Sequence, residues 1–335
     1  DNLRVEGSPV TVGSRVWRSS IGTAQFAVSQ NGAIAYIPGT WPTKKLVPVW
    51  VDRQGNRTPL PMPARNYHQA AVSSDGTMLA FCAYIYNDPY IWVHDVAHAS
   101  TSRLTYSGKC ICPVWTGADA NELIFLKTDG GLYRWCKDQN EPSLMGSVRQ
   151  LRLIKDWSHD GTRLCITTRD PNKPLAGSNI SVLAIGAQSE LVPEQFDCSD
   201  GDQRSATFSP DDRWIACSSD ESGRPEIYVK QYPGPGPRIL VSPDGGFQPL
   251  WSHDGKTLYY RRAGKMIAAR VETEPAFRVL ETTELFDDEY YSCYRCRSYD
   301  LAPDGRFLML YDIQPQDHRQ IHVVLNWCGD QLPND

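Results

Sequence analysis

Three side chains in this sequence have the types that acid–base chemistry requires. His68 could act as a general base, Tyr294 as a general acid, and Arg297 as the group that neutralises a developing negative charge. His68 lies in a segment that enters a β-rich run, so the strands around it decide whether the three residues meet. As the alternative function, this set predicts a lyase or hydrolase acting on an acidic polysaccharide or related substrate.

A larger group of arginines and aromatic residues lies in segments that lead into similar strands. Guanidinium groups suit carboxylates and phosphates, while tyrosine rings stack on sugar or peptide groups. The predicted binding residues are Tyr67, His68, Arg149, Arg152, Arg204, Phe247, Gln248, Tyr294, Arg295, Arg297 and Tyr299. Their predicted partner is an unknown anionic small molecule, a saccharide, or a peptide or protein. Alternatively, these arginines only hold loops in place by pairing with nearby acids, namely Asp200, Asp202, Asp287 and Asp288.

Two short cysteine motifs allow three different chemistries. Cys110 and Cys112 form one motif, and Cys293 and Cys296 form the other. Four converging thiolates could bind zinc, a weak alternative; a disulfide is the second alternative, and free thiols are preferred. No metal or other cofactor is therefore expected.

Most familiar catalytic motifs are absent from the sequence. It contains no G-x-S-x-G elbow, P-loop, dinucleotide-binding glycine pattern or H-E-x-x-H motif. His159 and His253 occupy equivalent turn positions and are interpreted as turn residues. The preferred function is therefore a non-catalytic sensor or scaffold, with enzymatic activity left open.

The elements that must position these residues belong to an internal repeat. Each copy has an apolar residue, Ser or a substitute, a variable residue, Asp-Gly, and then a β-rich run. The Asp-Gly pair supplies the positive φ angles of a tight hairpin. The aligned positions recur every 41 to 51 residues, at Asn31, Asp75, Asp119, Asp160, Asp211, Asp254 and Asp304. A four-stranded propeller blade needs about 40–45 residues, so the period indicates a propeller.

The predicted fold is a single all-β domain over residues 1–335, a seven-bladed β-propeller with six blades as the alternative. The expected blades cover approximately 22–62, 67–106, 110–147, 149–194, 203–243, 246–287 and 291–327. Strand 8–12 is expected to join the last blade and close the ring. Loops that enter the innermost strands would then meet at one mouth of a central channel.

The Ser-x-Asp-Gly repeats resemble the TolB-like, WD-repeat-like propeller family. Residues 209–236 and 242–261 more closely resemble the propeller domains found C-terminal to bacterial receptor-like serine/threonine kinases. This resemblance implies a periplasmic or extracellular domain for ligand binding or protein interaction. The sequence departs from that group in its cysteines, including Cys328, and it has no kinase portion, so no kinase activity is implied.

Charge and hydropathy limit the partners. The net charge is −5 and no long block of like charges occurs, so nucleic acid is not an expected partner. The longest apolar runs are far shorter than the span of about 20 residues that a membrane helix needs, so direct membrane insertion is not expected. The chain is expected to be a monomer. Because it begins at Asp1, it is interpreted as a processed protein or an excised domain.

Overall fold

A computed structural model describes most of the chain, and every regular element in its described part is a β-strand. The described residues are 16, 25–29, 33–37, 44–85, 88–116, 121–148, 151–169, 177–186, 191–197, 201–293, 296–314 and 321–325. Contacts divide the chain into two compact units, residues 45–313 and residues 1–44 with 314–335.

The strands follow one another through short turns. The first fourteen are β1 Phe26–Val28, β2 Ile34–Tyr36, β3 Leu46–Val51, β4 Arg57–Pro59, β5 Asn66–Val72, β6 Met78–Ile85, β7 Asp88–Asp95, β8 Ser100–Arg103, β9 Cys110–Trp115, β10 Glu122–Lys127, β11 Gly131–Cys136, β12 Ser143–Ser147, β13 Leu151–Trp157 and β14 Arg163–Thr168. The remainder are β15 Asn179–Ala184, β16 Pro193–Asp197, β17 Gln203–Phe208, β18 Trp214–Ser219, β19 Glu226–Gln231, β20 Ile239–Leu240, β21 Phe247–Trp251, β22 Thr257–Arg262, β23 Lys265–Glu272, β24 Arg278–Asp287, β25 Asp300–Leu301, β26 Phe307–Asp312 and β27 His322–Val324.

Residues 45–313 form six four-stranded antiparallel sheets. Five of them are continuous in sequence: β5–β8, β9–β12, β13–β16, β17–β20 and β21–β24. The sixth sheet joins β25 and β26 to β3 and β4, which come from the other end of this unit. The register of β26 against β3 runs from Phe307 opposite Val51 to Asp312 opposite Leu46.

The six sheets pack in a closed ring. Six buried apolar clusters occur among the described residues, and each lies between two consecutive sheets. The last sheet closes the ring because Tyr259 of β22 and Phe307 of β26 share one cluster, while Leu308 and Phe81 share another. The predicted all-β propeller is confirmed. Residues 45–313 contain six four-stranded sheets, and six blades was the alternative number predicted from the sequence.

The smaller unit contributes one described sheet, in which β2 lies between β1 and β27. The first and last predicted blades are therefore divided differently from the expectation. In the range 22–62, β1 and β2 pair with β27, whereas β3 and β4 pair with the β25–β26 hairpin. The burial of the strands agrees with this grouping. β3 and β26 are both largely buried, whereas β1 and β2 are not. Strand 8–12 lies outside the described residues, and a single domain over the whole chain stays a prediction.

The Ser-x-Asp-Gly repeat is a self-contained turn. In the copy at 252–255, the Ser252 hydroxyl donates to Asp254 Oδ1 at 2.6 Å and accepts from the Thr257 N–H at 2.9 Å. Asp254 also accepts from the Lys256 N–H at 3.0 Å, and Gly255 supplies a φ of 69°. The same Ser–Asp hydrogen bond occurs at Ser73, Ser158 and Ser209. The repeat is therefore explained by turn geometry within each copy.

Replacing Ser252 with Ala should lower the free energy of unfolding by about 1–2 kcal/mol, because the partly buried N–H of Thr257 loses its acceptor. Urea unfolding of the purified protein measures this change, with Ser107→Ala at an exposed site as the control. The variant should still fold, since Ala302 occupies the equivalent position in the last copy. Equal unfolding midpoints for the two variants would contradict this role of the hydroxyl.

Acid should weaken the same turns. The hydrogen bonds from Ser252 and from the Lys256 N–H hold the pKa of Asp254 below its ordinary value of 3.8. The ionised Asp254 carboxylate therefore stabilises the folded protein fully above about pH 3.8. This stabilisation is lost as the pH falls through the lower pKa of the folded state. Thermal unfolding of wild type and Asp254→Asn between pH 6 and about pH 2.5 should show the variant's deficit at the higher pH shrinking on acidification. A deficit that is constant across this range would exclude the ionised carboxylate as its cause.

Candidate functional site

The innermost strands of the ring are β5, β9, β13, β17, β21 and β25. We call the end where they begin the upper mouth, which is where the sequence predicted binding. A cavity of about 310 Å³, here called the funnel, lies at the opposite end. All six sheets contribute to its wall. Its lining residues are Ala71, Val72, Ser74, Val114, Trp115, Thr116, Asp156, Trp157, Ser158, His159, Thr207, Phe208, Pro210, Leu250, Trp251, Ser252, His253, Arg297, Asp300 and Leu301.

The rim of the funnel follows the repeat. The variable residue of the Ser-x-Asp-Gly turn borders the cavity in four copies, as Ser74, His159, Pro210 and His253. Sequence reasoning interpreted the two histidines only as turn residues and so missed their place at this opening. The available signal was the shared repeat position, since equivalent residues of a closed ring converge on the axis.

Arg297 forms the floor of the funnel together with two carboxylates. Its Nη1 lies 3.9 Å from Asp156 Oδ1, and its Nη2 lies 3.7 Å from Asp300 Oδ1. Both distances are too long for a direct hydrogen bond. The Arg297 side chain is 16% exposed, and in the described part of the chain it donates no hydrogen bond. Burial opposes its charge, but Asp300 and Asp156 outweigh this effect and raise the pKa of Arg297.

The two floor carboxylates also connect neighbouring sheets. Asp156 Oδ2 accepts from the Thr207 hydroxyl at 2.7 Å and from the Phe208 N–H at 2.9 Å, which ties β13 to β17. Asp300 Oδ2 accepts from the Val72 N–H at 2.8 Å, which ties β25 to β5. Burial raises the pKa of Asp300. Each carboxylate thus has one oxygen committed to a neighbouring sheet and another facing Arg297.

A further carboxylate holds the rim at His159. Asp212 accepts from the N–H groups of His159 and Asp160, each at 2.8 Å. The His159 ring nitrogen Nδ1 lies 3.5 Å from Asp212, and this interaction raises the pKa of His159. The His159 backbone is therefore tied to the adjacent sheet.

Among the predicted arginines of the upper mouth, Arg204 forms ion pairs with carboxylates within the chain. Arg204 pairs with Asp202 at 2.9 Å and with Asp220 at 2.7 Å, and its side chain is 10% exposed. Arg152 borders a pocket of about 140 Å³ together with Asp202 and Arg204. Asp287 and Asp288 pair instead with Lys265 and Arg261. For Arg204 this is the loop-holding arrangement that the sequence offered as the alternative.

His68 contacts a tyrosine other than the predicted one. Its Nδ1 lies 2.9 Å from the Tyr291 hydroxyl, and its ring packs against Tyr84 with centroids 4.5 Å apart. Tyr291 is also a position that sequence reasoning missed, because its loop is placed by a buried contact, from Arg261 Nη1 to the Tyr291 carbonyl at 3.0 Å. Tyr294, the predicted acid, lies outside the described residues, as do Arg149 and Arg295.

Three other predicted binding residues, Tyr67, Tyr299 and Phe247, lie away from the funnel. Tyr67 is fully buried and donates to the Pro63 carbonyl at 3.0 Å, and burial raises its pKa to about 12. Tyr299 is also fully buried and donates to the Gln248 carbonyl at 2.7 Å. Phe247 begins β21 and pairs with Arg261 on β22. None of these three side chains borders the funnel.

Gln248 and a disulfide organise the loop before β25. The Gln248 amide donates to the carbonyls of Cys293 and Cys296, each at 2.5 Å. Cys293 and Cys296 are joined by a disulfide, so the preference for free thiols was wrong for this pair. Because a disulfide consumes both thiolates, the four-cysteine zinc alternative loses half of its ligands. Cys110 and Cys112 are buried free thiols. Among the described residues no cluster of His, Cys, Asp and Glu is suited to a metal ion.

The structure predicts that Arg204 is needed for stability. Arg204→Ala leaves two carboxylates without their cation, so the free energy of unfolding should fall by about 1–3 kcal/mol. Arg270→Ala, at an ion pair with Glu281 that is exposed on both sides, is the matched control and should change stability by less than about 1 kcal/mol. Chemical denaturation measures both variants. If Arg204→Ala unfolds like wild type, its ion pairs do not hold the mouth together.

Comparison with known proteins identifies the fold. No protein-family model matches the sequence, and no curated protein matches it. Among solved structures, a TolB-type protein from Agrobacterium tumefaciens has a TM-score of 0.61 and 15% identity, over 82% of this chain and 100% of that one. TolB from Acinetobacter baumannii has a TM-score of 0.53 and 14% identity, over 72% and 63%. The chain has a TolB-like β-propeller fold.

An enzyme also has this fold. An oligogalacturonate lyase in complex with manganese has a TM-score of 0.53 and 13% identity, over 84% of this chain and 100% of that one. At such identities the similarity is one of fold. The finer resemblance to receptor-kinase propeller domains stays a prediction. No helix in the described part of the chain is long and apolar enough to cross a membrane.

Proposed function

We propose that this TolB-like propeller is a non-catalytic recognition domain that binds a ligand or a segment of a partner protein in the funnel. One observation carries this proposal. The ends of six strands surround a cavity of about 310 Å³ with a guanidinium at its floor. Binding residues on rigid elements are well positioned for recognition, since little conformational entropy is lost on binding. The site lies at the end of the ring opposite to the mouth predicted from the sequence.

The polar groups of the funnel favour binding over catalysis. Asp156 and Asp300 each use one oxygen to connect sheets, and the His159 backbone is tied to Asp212. A general acid or base must instead reach a proton on the substrate from a position near it. These groups are suited to hold a ligand by hydrogen bonds.

A lyase or hydrolase is the second candidate, with its site at the upper mouth. The observation that favours it is the 2.9 Å contact between His68 Nδ1 and the Tyr291 hydroxyl. In this alternative His68 is the base and Tyr291 takes the acid role first assigned to Tyr294. Arg297 would not neutralise charge there, because its guanidinium faces two carboxylates of the chain.

A periplasmic or extracellular location is part of the proposal. The Cys293–Cys296 disulfide supports it, because disulfides persist in oxidising compartments. The resemblance to the propellers of bacterial receptor-like kinases supports the same location and a role in ligand or protein recognition. We propose that the domain acts as a monomer.

Closing the funnel should abolish binding. Ser74 is exposed at the rim, so Ser74→Trp should narrow the opening while the fold is kept. Thr58→Trp on the outer strand β4 adds the same side chain away from the funnel. Thermal shift against saccharides, uronates and short peptides measures binding, because a bound ligand raises the melting temperature. The shift for any binder should disappear in Ser74→Trp and persist in Thr58→Trp.

The same panel separates the two candidate functions. Incubation of each saccharide and uronate polymer with the protein, followed by chromatography of the products, detects cleavage. Binding that survives in Ser74→Trp, or cleavage that is lost in His68→Ala, would reject recognition at the funnel. His68→Ala should leave ligand binding unchanged if the funnel is the site.

A further inference from the structure

We propose that the funnel binds a neutral polyhydroxylated ligand, such as a saccharide, whose hydroxyl groups bridge Arg297 to Asp156 and Asp300. This inference rests on the proposed function and names the chemical class of its ligand. It follows from four properties of the floor and wall: hydrogen-bonding capacity, spacing, charge and size.

The first property is the hydrogen-bonding capacity of Arg297. A guanidinium is a rigid fork of N–H donors, and leaving such donors unsatisfied in a mostly buried place is costly. The Arg297 side chain is 16% exposed and borders both the funnel and a small inner cavity. It donates no hydrogen bond to the described residues, although two carboxylates lie close. A ligand for this floor must therefore present hydrogen-bond acceptors.

The second property is the spacing between donors and acceptors. The gaps of 3.9 Å to Asp156 and 3.7 Å to Asp300 exceed a direct hydrogen bond. One oxygen placed beside each gap can accept from the guanidinium and donate to the carboxylate at normal distances. Asp156 Oδ1 has no hydrogen-bond donor among the described residues, so it is available for such a contact. Two hydroxyls, one on each side of Arg297, would bridge both gaps.

This spacing favours a hydroxyl over other groups. A hydroxyl both donates and accepts at a single atom, whereas carboxylates and phosphates only accept and ammonium groups only donate. In a peptide backbone the donor and the acceptor are on different atoms, so one peptide group cannot bridge a gap of this size in the same way. Sugars carry several hydroxyls on adjacent carbons, which suits two neighbouring gaps.

The third property is charge. With His159 and His253 neutral, Asp156, Asp300 and Arg297 leave the lining of the funnel with one net negative charge, while the buried Lys155 borders the inner cavity and not the funnel. An anionic ligand would gain from Arg297 but would be repelled by both Asp156 and Asp300 at short range. A cationic ligand would compete with Arg297 for the same two carboxylates. A neutral ligand avoids both costs, which favours a saccharide over an anionic small molecule among the partners expected from the sequence.

The fourth property is the size and composition of the cavity. Its volume of about 310 Å³ is at the lower end of the range for small-molecule sites, so it suits one or two sugar units. Aromatic residues from four sheets border it, namely Trp115, Trp157, Phe208 and Trp251. Aromatic side chains provide apolar contacts for the C–H groups of a sugar, next to the polar floor.

The test is a binding panel on the full chain, read by saturation-transfer NMR and calorimetry. The neutral probes are glucose, galactose, mannose, N-acetylglucosamine and their disaccharides. The matched acidic probes are glucuronate and galacturonate, which replace one hydroxymethyl group with a carboxylate. At least one neutral sugar should bind, and its matched uronate should bind at least about tenfold more weakly, because the added charge faces two carboxylates.

Two substitutions at the floor should weaken that sugar at least about tenfold. Arg297→Lys keeps the charge but loses the fork, and Asp156→Asn keeps the shape but changes the acceptor. Thr58→Trp is the control and should bind normally. If a floor variant fails to fold, Ser74→Trp at the exposed rim tests the location instead and should abolish sugar binding.

Each other outcome overturns this inference in a way that can be recognised. Tighter binding of uronates, or no binding of any neutral sugar up to millimolar concentration, would reject a neutral saccharide. If peptides bind to the wild type and not to Ser74→Trp, the ligand is not a saccharide, but recognition at the funnel is retained. If sugar affinity is the same in the wild type, the floor variants and the rim variant, the funnel is not the binding site.

Discussion

The pairing of β26 with β3 is the constraint on which the rest of this structure depends. It joins the two ends of residues 45–313, so that strands from opposite ends of the unit complete one sheet. Without it, two of the six apolar clusters would lose one wall, and the edges of two hairpins would be open. Closure also brings Asp300, at the end of the chain path, next to Val72 near its start.

The funnel is a consequence of the same closure. Each sheet alone contributes only the end of a strand and a turn, whereas the ring places six of them around one axis. The carboxylates that tie neighbouring sheets, Asp156 and Asp300, are then directed at a single guanidinium. In the proposed function, the same groups serve stability and recognition, since one oxygen of each carboxylate holds a sheet and the other faces the cavity. A ligand can therefore be held by groups that the fold has already ordered.

The upper mouth shows the opposite use of charged residues. There, Arg204 is neutralised by Asp202 and Asp220, and the fully buried Arg261 holds the following loop through the Tyr291 carbonyl. The positive charges of Arg204 and Arg261 are paired with carboxylates of the chain, so these two residues offer little net charge to an anionic ligand. An arginine in a loop is therefore informative about binding only when its partners are known.

The sequence by itself determined the β-propeller architecture and the Ser-x-Asp-Gly hairpins, because both follow from local patterns. In each turn, Ser252 and its equivalents bond to residues only a few positions away, so no distant contact is needed. Only the tertiary structure decided that β3 pairs with β26, and that the cavity lies at the end of the ring opposite to the upper mouth. Only it showed that Arg297 faces Asp156, because those residues belong to sheets far apart in sequence. Their meeting depends on the number of sheets and on the closure of the ring, which no local pattern encodes.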